Sequence, residues 1–130
     1  LFKMLLRCVD VIEKGEPWTD QDFPPEMRSL ANENDEAEQR ERMKDYSWKR
    51  LSNIYQDCKV FSAGITPNDI KQGGLGNCYY LSVLSAMAEF PERIEACFHT
   101  KEPNSAGIYL MFLYVNGAVT PIIVDDYVPV

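Results

Sequence analysis

The 130-residue sequence holds a single histidine, His99, and no C-x-x-C pair among its four cysteines. A zinc cage built from Cys and His is therefore poorly supported, and no Ser/His/Asp set can be assembled. Basic residues are also short, 13 Lys and Arg against 20 Asp and Glu for a net charge of -7. From residue 61 onward the balance is seven acidic to three basic, which argues against a nucleic-acid partner, because a phosphate-binding footprint needs clustered Lys and Arg. No apolar run approaches the roughly 18 residues of a membrane span. The acidic stretch 31–45 lacks the Gly and the oxygen spacing of an EF-hand loop, so calcium is not expected there. No repeat is visible. Four cysteines in 130 residues fall below the density of a disulfide scaffold, and a reducing, cytoplasmic setting is expected. The first residue is Leu rather than Met, and the last ones, "IIVDDYVPV", look like a strand's exit, so the sequence reads as a piece of a longer chain.

What is present has a clear order. Leu1, Leu5, Cys8, Val9 and Ile12 make a helical stripe ending near Gly15. "EPWTDQDFPPEMRSL" is rich in Pro and Asp and predicts an irregular arm, pinned by burial of Trp18 and Phe23. "ANENDEAEQRERMKD" suits a solvated helix with the pairs Glu36–Arg40 and Glu38–Arg42. Apolar spacing at Trp48, Leu51, Ile54 and Tyr55 predicts a short docking helix. Pro67, Asn68 and Asp69 mark a turn. Leu81, Leu84, Met87 and Ala88, widened by Val83 and Phe90, predict a largely buried helix with Asn77 at its N-cap. Pro91 opens a second short helix. "GIYLMFLYV" and "AVTPIIV" around Asn116-Gly117 predict a β-hairpin, with Pro121 demanding an edge or a bulge.

One cysteine stands apart. Cys78 follows the glycine-rich stretch "QGGLGN" at the mouth of the apolar helix, whereas Cys8, Cys58 and Cys97 read as core. A cysteine attacks as the thiolate, and the unpaired N–H groups of a first helical turn favour that anion. They also favour an oxyanion formed on an attacked carbonyl, and Gln72 is close enough in sequence to add an amide N–H₂ to the same spot. Gly73, Gly74 and Gly76 permit unusual backbone and leave room for a substrate. Buried cysteines are common, so a structural Cys78 stays open on these grounds. A phosphate loop is the weakest reading, since no Lys-Ser/Thr follows the glycines.

The decade from Gln72 to Leu81 resembles the nucleophile motif of calpain-type cysteine proteases, Q-G-x-L-G-D-C-W-x-L. "WTDQDFPPEMRSL" is similar to that family's D-x-x-F-P segment, "WKRLSNIY" to its W-x-R segment, "ITPNDI" to the approach to the motif, and "GIYLMFLYVNGAVTPIIVDDYVP" to the hairpin ending in V-D-D-x-x-P. The resemblance implies an α+β, papain-like peptidase core: residues 1–45 form an N-terminal helix, arm and charged segment, and 46–130 the first, Cys-bearing subdomain. It implies Cys78 as nucleophile, Gln72 as the oxyanion-hole side chain, and protein substrates cut in limited fashion. It further implies half a Ca²⁺ site, through the carbonyls of Ser62 and Gly64 and the carboxylate of Asp69, although Asp69 suits a turn or cap equally well. Asn77 and Tyr79 depart from the family's Asp and Trp. In papain-like enzymes the catalytic His lies about 130–150 residues after the Cys, and only 52 residues follow Cys78. His99 reads as a surface loop residue. The missing His/Asn subdomain is thus an expected partner in the same polypeptide. A non-catalytic, calpain-like interaction or scaffold module is the alternative.

Overall fold

The computed structural model describes residues 2–31, 34–61 and 64–130. Along the chain come α1 (Phe2–Lys14), a 3₁₀ turn at Met27–Ser29, α2 (Ala37–Met43), β1 (Trp48–Arg50) and α3 (Leu51–Ile54). A second 3₁₀ turn at Pro67–Asp69 precedes α4 (Cys78–Ala88), α5 (Pro91–Cys97), β2 (Ile108–Val115), β3 (Ala118–Asp125) and β4 (Tyr127–Pro129). Helices dominate the first three quarters and strands the last, which is an α+β order. No helix among the described residues is long and apolar enough to cross a membrane.

The contacts divide the chain into two compact units. The first comprises residues 1–58, 104–109 and 123–130. Within it α1 buries Cys8 while Val9 of the expected stripe stays half exposed at 51%. β1 pairs antiparallel with β4, Arg50 opposite Tyr127 and Trp48 opposite Pro129. This pairing explains why residues 48–50, expected as helix, are extended: their hydrogen bonds go to a strand 79 positions away, and only Leu51–Ile54 coils.

The arm after α1 is held mainly by polar contacts, not by the expected apolar burial. Trp18 is half-buried, but Phe23 is exposed and meets Trp48 edge to face. The Trp18 N–H donates to the Ala106 carbonyl at 2.8 Å. The Asp20 N–H donates to Asp125 Oδ2 at 2.8 Å, and Asp20 Oδ1 accepts from the N–H groups of Asp22 and Phe23. Arg50 closes the cluster. Its guanidinium pairs with Asp126 Oδ1, donates to the Trp18 carbonyl at 2.6 Å, and lies 4.4 Å from the Tyr127 ring centroid. On α2 the expected Glu38–Arg42 pair forms on an exposed face, while Met43 turns inward and is almost fully buried.

The second unit comprises residues 59–103 and 110–122. α5 starts at Pro91, as its missing N–H permits. It hands over to β2 through a bridge between Phe98 and Met111, and the His99 N–H donates to the Leu110 carbonyl at 2.9 Å. The β2–β3 hairpin turns on Asn116 (φ 51°) and Gly117 (φ 79°), the paired positive φ values of a type I′ turn. Pro121 lies in β3 of a two-stranded sheet, where every strand is an edge. Leu110 is fully buried.

Candidate active site

The glycine-rich stretch ends at Asn77, and Cys78 is the first residue of α4. The sulfur-bearing residue is exposed, and all four cysteines are free thiols. The N–H groups of Tyr80 and Leu81 close the first turn by donating to the Asn77 carbonyl, at 3.0 and 3.1 Å. Asn77 itself does not cap with its side chain. Its φ of -108° and ψ of 23° lie outside the extended region from which an N-cap side chain reaches back over the first turn, and its Oδ1 is covered without a partner among the described residues. Gly73 and Gly76 also differ from expectation: neither has positive φ, and a Cβ built on either meets nothing within 4 Å. Neither position therefore requires glycine for positive φ or for close packing.

Gln72 is exposed and folds back on its own loop. Its Nε2 donates to the Leu75 carbonyl at 3.2 Å, a partner that motif spacing gave no sign of. His99 is an exposed loop residue edge-on to Phe112, with ring centroids 6.0 Å apart. Among the described contacts nothing joins it to Cys78 or Gln72.

α4 itself is less buried than its composition predicts. Ala88 is buried and Leu81, Leu84 and Met87 are half-buried, but Val83 and Phe90, expected to widen the inner stripe, are 56% and 49% exposed. The reason is geometric. The helix is apolar around most of its circumference, while α5 and the 3₁₀ turn at 67–69 cover only one side. Tyr79, next in sequence to Cys78, is 75% exposed. The phenol of Tyr80 is partly covered, and that burial pushes its pKa up.

The loop before the motif carries the residues considered for calcium. Asp69 forms a capping box with Thr66: its Oδ2 accepts from the Thr66 N–H at 2.8 Å and from the Thr66 hydroxyl at 3.0 Å. Gly64 is exposed, and Ser62 lies outside the described residues. Among the described residues no group of three or more His, Cys, Asp or Glu could hold a metal ion. One carboxylate with an oxygen already engaged, together with backbone carbonyls, is only part of the 6–8 oxygen ligands calcium takes, so a complete site needs further ligands from elsewhere in the full-length polypeptide. Two substitutions separate the roles of Asp69. Asp69→Ala removes the cap and is expected to cost about 1 kcal/mol in denaturant unfolding. Asp69→Asn keeps an oxygen for the cap and should leave stability nearly unchanged while removing the charge. Equal losses for both would refute a capping role that depends on geometry alone.

Comparison with known proteins identifies the family. The profile described as calpain family cysteine protease matches residues 18–130. The calpain-type cysteine protease DEK1 of Zea mays is 34% identical over 126 residues, covering 92% of this chain and 6% of that protein. Calpain-5 of Caenorhabditis elegans is 32% identical over 91% of this chain and 18% of its own length. The calpain-2 catalytic subunit of Rattus norvegicus is 27% identical over 92% of this chain and 17% of its own. The chain thus spans less than a fifth of the length of each of these relatives. With the motif, the exposed thiol at a helix start and a match over residues 18–130, this chain belongs to the calpain family of cysteine proteases.

Proposed function

We propose that this chain is the nucleophile-bearing part of a calpain-like cysteine endopeptidase and that Cys78 is its nucleophile. The Cys78 sulfur attacks a substrate carbonyl carbon, forming a C–S bond. The amine leaves as the C–N bond breaks, taking a proton from a histidine elsewhere in the full-length polypeptide, and water then hydrolyses the thioester. While the carbonyl oxygen carries negative charge, the Cys78 N–H and the Gln72 amide are its donors. Residues 46–130 are then the first subdomain of a papain-like core and residues 1–45 its N-terminal extension. Extended protein substrates bind beside α4, and the setting is cytoplasmic. Calcium is proposed only as a regulator to which Gly64 and Asp69 contribute part of the ligand shell.

One observation carries the reading: Cys78 is exposed at the start of α4, whereas Cys8 is buried and Cys58 and Cys97, expected as core, are half-buried with their thiols hydrogen-bonded to backbone. Cys8 is buried, and that burial raises its pKa. Cys58 donates to the carbonyls of Leu51 and Tyr55, and Cys97 to that of Arg93. Iodoacetamide at neutral pH is therefore expected to alkylate Cys78 of the full-length chain first, and faster than the same cysteine in an unfolded peptide of residues 72–84. A rate no higher than the peptide's would leave exposure without activation and favour the scaffold reading, which the engaged Gln72 amide also suits.

A further inference from the structure

Two polar groups at the entrance of α4 are badly matched to their surroundings. Asn77 Oδ1 is covered and accepts no hydrogen bond among the described residues. Two residues on, the Tyr79 N–H is one that a first turn leaves without an intrahelical acceptor and that an N-cap side chain ordinarily takes. Gln72 has the converse fault. Its Nε2 is spent on the Leu75 carbonyl at 3.2 Å, inside its own loop, whereas the proposed reaction needs it beside the Cys78 N–H.

One movement corrects both. Turning Asn77 ψ from 23° into the extended region leaves the Asn77 carbonyl and the bonds it accepts from Tyr80 and Leu81 in place, because only the chain before that peptide unit swings. It carries Oδ1 over the first turn to the Tyr79 N–H, the usual capping geometry, and the cap makes no use of the Cys78 N–H. Upstream the chain is held, since the 3₁₀ turn at Pro67–Asp69 packs on α4. The change is therefore absorbed between residues 70 and 76. Gly73 and Gly76 lie there with nothing within 4 Å of a built Cβ, and dihedral freedom is what glycine adds at such positions. Leu75 stands between them, so its carbonyl moves relative to Gln72 and the Nε2 bond breaks.

We propose that Asn77 is a positioning residue for the reaction assigned to Cys78. By capping α4 through Oδ1 it sets the 72–76 loop so that the Gln72 amide leaves the Leu75 carbonyl and joins the Cys78 N–H as oxyanion donor. This role rests on the reading of Cys78 as nucleophile. Steady-state cleavage of a protein substrate by the full-length polypeptide tests it, beside thermal unfolding. In Asn77→Ala kcat is expected to fall about fivefold with KM unchanged, the scale of one lost N-cap. Its melting temperature should not fall, because the resting structure has no cap to lose and the variant sheds a covered, unpaired oxygen. Asn77→Ser, a cap of equal rank, should keep kcat within about twofold of wild type. In a Gln72→Ala background Asn77→Ala should add little, since both changes act through one donor. A lower melting temperature in Asn77→Ala, equal kcat losses in the Ala and Ser variants, or additive losses with Gln72→Ala would each overturn the role. Undiminished turnover in Cys78→Ala would remove the nucleophile reading as well, whereas turnover lost in Cys78→Ala with kcat unchanged in Asn77→Ala would remove this role alone.

Discussion

Alanine in place of Cys78 is expected to lower peptide-bond cleavage by the full-length polypeptide on the order of 10⁴-fold, because removing a covalent nucleophile leaves only binding and oxyanion stabilisation. The residue is exposed at the start of α4, so the fold should survive and circular dichroism should be unchanged. Gln72→Ala is expected to lower kcat by about 10²–10³-fold with little change in KM, the loss of one oxyanion donor. Its amide is engaged with the Leu75 carbonyl, but an exposed hydrogen bond of this kind contributes only about 1 kcal/mol, so releasing it costs little. Both variants are read by steady-state cleavage of a protein substrate. Undiminished turnover in Cys78→Ala would end the nucleophile assignment, whereas a loss in KM alone for Gln72→Ala would make that residue a substrate contact.

Gly107→Ala is expected to destabilise the first unit by at least about 3 kcal/mol. Two effects add there. Gly107 has φ +63°, a conformation that costs a residue with Cβ roughly 1–2 kcal/mol. The added Cβ would also lie 2.4 Å from Asp126 Oδ1 and 2.7 Å from Arg50 Nη1. Neither neighbour can step aside cheaply, since their side chains are only 7% and 13% exposed and paired with each other. Pushing them apart leaves charges covered and unpaired, which is far costlier than never having buried them. Arg50 also ties the arm through Trp18, so the damage spreads to residues 18–23. The melting temperature should fall by more than about 5 °C, with a matching shift in the urea midpoint. A midpoint within error of wild type would show that the Arg50–Asp126 cluster does not hold the unit together. Arg50→Lys is expected to fall between the two, because an ammonium group cannot serve the Asp126 carboxylate and the Trp18 carbonyl in the same planar fork.

Much of this protein was legible where the deciding interactions span a few residues. Pro91 at the start of α5, Asn116-Gly117 at the hairpin tip and Asp69 in its capping box each act through dihedral limits or a hydrogen bond three positions away. Placing Cys78 at the mouth of α4 needed only a change from glycine-rich to helix-periodic residues. Asn77 shows the limit even of local reasoning: the residue type suits a cap, but its ψ of 23° turns the side chain away.

Sequence by itself, then, determined where α4 and α5 begin, the hairpin turn and the place of Cys78 at the mouth of α4, because these rest on short-range sterics and hydrogen bonds. Only the tertiary structure decided that the W-x-R and V-D-D-x-x-P segments are two halves of one contact, Arg50 on Asp126, and that residues 48–50 are a strand. It alone decided which side of the apolar α4 is covered and where the Gln72 amide points. Those outcomes depend on chain segments distant in sequence meeting in space, and no local pattern carries the register at which they meet.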